Sequence, residues 1–457
     1  MPSATSLPKL LVANRGEIAC RVIRAAKALG LGSVAIYSEA DAAAPHVALA
    51  DEAVLIGPAP AQKSYLDGAR IIAVAKETGA TLIHPGYGFL AENAGFAEAC
   101  AAAGITFVGP TPAQIRAMGD KECARRTAAA AGVPVLPGSD QVPANDEAAL
   151  HLARGIGYPL LIKAAAGGGG IGMRLVAAEA DLLAALAATR NLAAKAFGNE
   201  AVYFERYVAR ARHIEVQVFG LGSAGAVHLF ERECSFQRRH QKVIEEAPAP
   251  NLPQALRQAM AQAAVDLARS LDYVGAGTIE FLYDETREGF YFLEMNTRIQ
   301  VEHPVTEEIT GLDLVAAQIR LALGQALPDF VQADIVAAGH AVEARLYAER
   351  PAKNFLPAPG LIERLRLEVM PGIRVESGYA EGQKVTPFYD PMIMKIVAHG
   401  ADRGEALARL DAALAALDIV GIDTNRDFLR RLITHPEAAA GRAYTRFIEE
   451  HLTELVA

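Results

Sequence analysis

Four consecutive glycines follow a lysine and three alanines in the stretch KAAAGGGGIGM, residues 163–173, and the strand-like segments YPLLIKA and MRLV flank them. Glycine reaches positive φ without steric cost and admits close approach to the main chain, yet costs about 0.5–1 kcal/mol relative to alanine in regular structure. A Walker-type loop needs GK[ST] and a helix after its glycines, so that the helix N-terminus faces the phosphates. Here a strand follows instead. The order predicts a glycine-tipped hairpin able to close over a ligand as a lid; the plainer alternative is an unconstrained hairpin tip.

The segments before it alternate in type. KLLVA (residues 9–13) reads as a short strand, and Ile18, Val22, Ile23 and Ala26 line one face of the helix that follows. SVAIY, ARIIAVAKETG and TLIHPGYGFL continue the pattern, which implies a parallel sheet with covering helices. The first turn, NRGEIA, lacks the GxGxxG that brings backbone to a pyrophosphate, which excludes a dinucleotide fingerprint there. At roughly 100–200 residues per domain, 457 residues should form two to four domains. We expect an open α/β domain over residues 1–120, a helical linker over 121–135 and a small lid domain over 136–205. A larger mixed α+β region then runs over 206–457.

Composition narrows the partners. A formal net charge of −9 without a dense basic block disfavours a nucleic-acid surface. Four scattered cysteines, Cys20, Cys100, Cys123 and Cys234, indicate neither a disulfide framework nor a zinc cluster. The first residues lack the apolar core of a signal peptide, and no run of about 18 apolar residues occurs, so a cytoplasmic protein without a membrane span is expected.

The densest chemistry lies in GAGTIEFLYDETREGFYFLEMNTRIQVEH, residues 275–303. A hairpin register centred on Arg287 pairs Ile279 with Met295, Phe281 with Leu293 and Tyr283 with Tyr291 on one apolar face. The opposite face sets Glu280 across from Glu294 and Thr278 across from Asn296. Opposed residues have Cβ atoms about 4.5–5.5 Å apart, where like charges destabilise the pair, so a cation should sit between the carboxylates. Mg²⁺ fits, because this hard ion takes oxygen ligands and keeps positions open for a nucleotide. A solvated strand face is the alternative. Arg298, Gln300 and Glu302 continue the same period of two, so an extended chain would present five polar groups on one side. A second concentration, ERECSFQRRHQKVIEEAP, residues 231–248, groups Gln237, Arg238, Arg239, His240 and Lys242; it suits phosphate or bicarbonate, or is an exposed basic loop.

Taken in order, ANRGEIA, HPGYGFLAEN, MGDK, KAAAGGGGIGM, ERECSFQRRHQKVIEEAP, EMNTRIQVEHPVTE and YDPMIMK resemble the biotin carboxylase family, the ATP-grasp component of acetyl-CoA carboxylase and related carboxylases. The resemblance implies an ATP-grasp architecture and a ligase that activates bicarbonate with ATP as carboxyphosphate and transfers its CO₂ to biotin. It assigns Lys121 and Lys163 to the nucleotide phosphates and Gly167, Gly168, Gly169 and Gly170 to the lid. Glu205, Arg206, Tyr207, Val208, His213, Gln237 and His240 fall at positions lining adenine and ribose. Glu280, Glu294 and Asn296 match the ligands of Mg²⁺ or Mn²⁺. Lys242, Arg298, Gln300 and Val301 match the bicarbonate site, Glu302 the general base and Arg345 the residue that steadies the biotin enolate.

The implied partners are a biotin carboxyl carrier protein, a carboxyltransferase subunit and a second copy in a homodimer, with biotin supplied in trans. Where the family carries Arg or Lys in the lid, this chain has Ile171, which implies weaker ATP binding or altered closure, with Arg174 as a substitute. Two other readings stay open: another ATP-grasp ligase activating a different carboxylate, and a non-catalytic scaffold subunit.

Overall fold

The computed structural model describes residues 8–165 and 172–457. Its chain divides into two compact units: Met1–Val133 with Arg212–Phe281 and Glu294–Ala457, and Pro134–Ala211 with Leu282–Leu293.

The larger unit begins with five parallel strands whose spatial order is Glu52–Gly57, Gly32–Ser38, Lys9–Val12, Leu82–His84 and Thr106–Phe107. The order reverses between Lys9–Val12 and Leu82–His84, and the loops after both strands meet there. Asn14 Nδ2 donates to the Pro85 and Tyr87 carbonyl oxygens, 2.7 Å in each case. Gly86 stands at φ +61°, and a Cβ there would lie 2.9 Å from Asn14 Nδ2, so only glycine fits this approach. The Asn14 side chain therefore ties the two loops together at the point where the strand order reverses. Ile18, Val22, Ile23 and Ala26 of the helix Gly16–Ala28 are buried in one cluster with Leu10, Val12 and Leu314.

An eight-stranded sheet follows, in the order Gly289–Asn296, Val274–Asp284, Ala211–Leu221, Ala226–Arg238, Gln241–Ala247, His340–Tyr347, Met392–Gly400 and Ile373–Ser377. The helix Arg403–Ala416 buries Ala406, Leu410, Ala413 and Leu414 in the core shared by Val342, Ala344, Ile393 and Ile396. Each leucine, isoleucine or valine so removed from water contributes about 1.5–3 kcal/mol. The central strands are buried on both faces, so polar residues within them must find partners inside the protein.

The smaller unit holds a four-stranded sheet, ordered Gly138–Gln141, Val202–Arg206, Leu160–Ala164 and Met173–Val176, under the helices Asp146–Ile156 and Leu182–Phe197. Leu160–Ala164 and Met173–Val176 pair antiparallel, Leu160 opposite Val176 and Lys163 opposite Met173, so the strands flanking the glycine run form the expected hairpin. Gly167, Gly168, Gly169, Gly170 and Ile171 lie outside the described residues.

Two local expectations are corrected. The hairpin face holding Tyr291, Leu293 and Met295 is not uniformly apolar inside: Leu293 is 38% exposed and Phe292, from the opposite face, 4%. The physical reason is that this tip packs into the smaller unit. The Phe292 amide donates to the Pro134 carbonyl at 2.7 Å, and Leu282 and Tyr291 pack on Leu136, Val208 and Ala211. The extended chain also ends at Asn296, and Glu302 instead stands at the N-cap position of the helix His303–Thr310 without a capping hydrogen bond from its side chain. Among the described residues, no helix is long and apolar enough to cross a membrane.

Candidate functional site

Five neighbouring strands of the large sheet, together with Glu302 before the helix His303–Thr310, carry the polar side chains of the cluster around Lys242. Glu215 lies directly opposite Arg232 across one ladder and Gln237 opposite Lys242 across the next. Lys242 Nζ reaches Glu215 Oε2 at 2.5 Å, Glu302 Oε1 at 2.6 Å and Glu280 Oε1 at 2.9 Å. Burial opposes the charge on Lys242, but the three carboxylates outweigh it and hold its pKa well above the usual lysine value. Arg232, fully buried, donates to Glu215 Oε1 at 2.6 Å and to Gln217, Thr306 and Thr278. Arg345 Nη2 donates to Glu302 Oε2 at 2.9 Å. Three acids are thus matched by three permanent cations, which lets a buried cluster of this size stay ionised. Glu302 follows the same logic: burial pushes its pKa up, while Lys242, Arg345 and Arg232 drive it well below the carboxylate norm.

Glu280 is the crossing point of the cluster. Its Oε1 accepts from Asn296 Nδ2 at 3.0 Å and Gln300 Nε2 at 3.3 Å besides Lys242, and its Oε2 lies 2.9 Å from His213 Nε2. Burial lowers the basicity of His213, and the Glu280 carboxylate more than restores it. Gln237 Nε2 meets His213 Nδ1 at 3.0 Å. Glu294 behaves differently. Its side chain is exposed, yet desolvation first and the Glu280 charge second push its pKa up, with Lys121 opposing. Two acids, one destabilised by the other, beside an amide, make a hard-oxygen set that a divalent cation would relieve. Glu280, Glu294 and Asn296 fit such an ion.

Although the segment 297–302 is not a strand, its side chains converge. Arg298 donates from Nη2 to Asn296 Oδ1 and from Nη1 to Gln300 Oε1, both at 2.9 Å, and from Nε to Glu92 Oε2 at 2.8 Å. The Val301 carbonyl accepts from the fully buried Lys395 at 2.6 Å. Lys121 opens the helix Lys121–Ala130 with an exposed side chain.

The basic run divides. Arg238 is not a free phosphate ligand: it pairs with buried Glu349 and lies 4.7 Å from the Tyr347 ring centroid. Arg239 and His240 form the exposed turn between two strands, at φ 50° and 62°, and of Gln237, Arg238, Arg239, His240 and Lys242 it is Gln237 and Lys242 that enter the cluster. In the smaller unit, Lys163 pairs with Glu205. Arg206 donates to the Ile156 carbonyl at 3.0 Å, the Tyr207 amide donates to the Pro159 carbonyl at 3.1 Å, and Val208 is buried in the apolar cluster around Leu136.

Sequence reasoning missed Glu215, Arg232, Glu92 and Lys395. The signal for Glu215 was present in HIEVQVFG, whose alternation places Glu215 and Gln217 opposite Ile214, Val216 and Val218. Both faces of that strand prove buried, so the acid needed a partner.

Comparison with known proteins agrees with this architecture. Residues 6–115 match the family description "Biotin carboxylase, N-terminal domain", residues 120–330 "Carbamoyl-phosphate synthase L chain, ATP binding domain" and residues 343–450 "Biotin carboxylase C-terminal domain". The biotin carboxylase of Halalkalibacterium halodurans is 52% identical over 97% of this chain and 98% of its own. The mitochondrial methylcrotonoyl-CoA carboxylase subunit alpha of Arabidopsis thaliana is 49% identical over 100% of this chain, which spans 62% of that relative's length. The biotin carboxylase domain dimer of Hydrogenobacter thermophilus 2-oxoglutarate carboxylase, solved with MgADP, ADP and bicarbonate, superposes with a TM-score of 0.90. It shares 45% identity over 99% of both chains. With ladder, cluster and all three matched segments in agreement, the chain belongs to the biotin carboxylase family of ATP-grasp ligases.

Proposed function

We propose that the chain carboxylates biotin presented on a carrier protein, at the expense of ATP and with bicarbonate as the carbon source, as the first half-reaction of an acyl-CoA carboxylase. The observation that carries this reading is the placement of Glu302 between Lys242 and Arg345, an ionised acid flanked by two cations inside a buried pocket of charge. Such a site receives a small planar anion beside an acceptor for its proton.

Glu302 takes the bicarbonate proton, and the oxyanion so formed attacks the γ-phosphorus of ATP while ADP leaves. Carboxyphosphate then breaks to CO₂ and phosphate, and the ureido nitrogen of biotin, losing its proton to phosphate, bonds to the CO₂ carbon. Lys242 and Arg298 orient the bicarbonate oxygens, with Gln300 and the Val301 backbone beside them, and Arg345 offers its planar fork to the biotin enolate. Glu280, Glu294 and Asn296 would hold Mg²⁺, which supplies charge neutralisation on the phosphates. Lys121 and Lys163 are assigned to the nucleotide phosphates on resemblance. His213, Gln237, His240, Glu205, Arg206, Tyr207 and Val208 are assigned to the nucleoside on resemblance, and the Arg206 hydrogen bond to Ile156 favours a backbone contribution at that position. A carrier protein, a carboxyltransferase and a second copy of the chain are the partners this chemistry needs or the family employs.

The test is phosphate release from Mg·ATP with each component omitted in turn. Release that needs both bicarbonate and free biotin is expected. Release driven by another carboxylate, with biotin without effect, would overturn the assignment, and no release under any condition would favour a scaffold role.

A further inference from the structure

Behind Arg345 lies a pair of acids that the mechanism above leaves unused. Glu245, on the strand Gln241–Ala247, is the direct antiparallel partner of Glu343, on the strand His340–Tyr347. Both are fully buried. Glu245 Oε1 forms an ion pair with Arg345 Nη2, the same nitrogen that donates to Glu302. Neither oxygen of Glu343 and, apart from that ion pair, neither oxygen of Glu245 meets a hydrogen-bond donor among the described residues, so the ion pair is what distinguishes the two acids. Directly opposed side chains sit with Cβ atoms about 4.5–5.5 Å apart, and two charged carboxylates at that separation in a dry interior cannot both persist.

We propose that Glu245 and Glu343 hold one proton between them, on Glu343, and act as positioning residues for Arg345, so that Arg345 keeps an anionic partner when Glu302 takes up a proton. The inference rests on the reading of Glu302 as the base. In the proton transfer, the bicarbonate O–H bond breaks, a Glu302 O–H bond forms, and the proton of the acid pair stays where it is. Arg345 then exchanges a share between two carboxylates for one, and need not swing away from the biotin site.

The surrounding charges agree with this division. Arg345 lies on the same strand as Glu343, and Lys395 faces it from the strand Met392–Gly400. Lys242 and Cys234 approach Glu245 from its own and the next strand, and Glu302 comes from the N-cap position of the helix His303–Thr310. Burial raises the pKa of Glu343 well above the carboxylate norm, with Lys395 opposing. It raises Glu245 to about 7, with Arg345 opposing and Glu302 adding to the rise.

Glu245→Gln and Glu343→Gln test the proposal in the full-length protein, with circular dichroism to verify folding. In Glu245→Gln, Arg345 is left to Glu302 alone. The kcat should fall roughly tenfold with KM for ATP unchanged. An unchanged kcat, or a KM for ATP that changes along with it, would overturn the proposal. Independently of turnover, the wild-type infrared spectrum should contain a buried carboxylic-acid C=O stretch that Glu343→Gln removes. Its absence from the wild type, or its persistence in the variant, would overturn the shared proton. Glu302→Gln tests the base assignment alone: retained bicarbonate-dependent turnover would sink that reading, whereas the infrared band reports on the acid pair either way.

Discussion

The cluster around Lys242 and the sheet of the smaller unit use charge in opposite ways. In the larger unit, Glu215, Glu280 and Glu302 share one ammonium while Arg232 and Arg345 complete the balance, and nearly every one of these groups is buried. In the smaller unit, Lys163 and Glu205 form a half-buried pair on neighbouring strands, and Arg154 with Glu179 form an exposed one. The first region is a buried, internally paired charge cluster, costly to assemble, whose proposed role is to receive an anion. The second offers a charge that solvent already screens and that a ligand can recruit at little cost.

Removing the acceptor should produce the largest change. Glu302→Gln is expected to lower bicarbonate-dependent turnover by roughly 10²–10⁴-fold, measured by initial rates; a loss below tenfold would mean that the cluster does not carry the proton step. Lys242→Met should abolish activity and, by leaving three buried carboxylates without their shared cation, lower unfolding stability by about 3–5 kcal/mol in urea titrations. Stability within 1 kcal/mol of wild type, on the order of a surface pair, would erase the difference between the two regions.

Acid should weaken the larger unit in a defined window. His46 and His84 are fully buried there and burial lowers both to about 4, against partial compensation from Asp41 for His46 and Gln318 for His84. The unfolded chain binds these protons near pH 6.5 and the folded chain near 4, so stability is complete above about 6.5 and falls as pH drops toward 4. The loss is roughly 3 kcal/mol for each histidine. Thermal melts of wild type and His84→Asn across that range should differ in slope, and parallel curves would contradict the burial argument. The smallest effect belongs to the half-buried pair: Lys163→Gln should raise KM for ATP by about tenfold, the scale of one ionic contact. Stability should change by no more than about 1 kcal/mol, and a large drop in melting temperature would show that this pair is structural.

Much of this was legible in one dimension, and the limits have a physical origin. The parallel sheet and the hairpin around the glycines followed from local period and order, because strand and helix impose them on neighbouring residues. Glu280, Asn296 and Lys242 were found for the same reason, each lying in a dense polar stretch. Glu215 and Arg232 were hidden because their necessity comes from burial on both faces of the central strands, which depends on distant chain. Arg238 and Lys242 looked alike within one basic run. Only the strand pairing sends Arg238 to Glu349 and Lys242 to Glu302. Phe292 and Leu293 exchanged roles for a comparable reason, since the hairpin tip packs with residues 134–211 and not with its own sheet face.

The central claim is that an oxygen of bicarbonate, freed of its proton beside Lys242 and Glu302, attacks the terminal phosphorus of ATP. Turnover with ¹⁸O-labelled bicarbonate, Mg·ATP and biotin, followed by mass analysis of the released phosphate, tests it directly. One labelled oxygen is expected in each phosphate released in the biotin-dependent reaction. Phosphate free of label would show that water is the nucleophile and would contradict it.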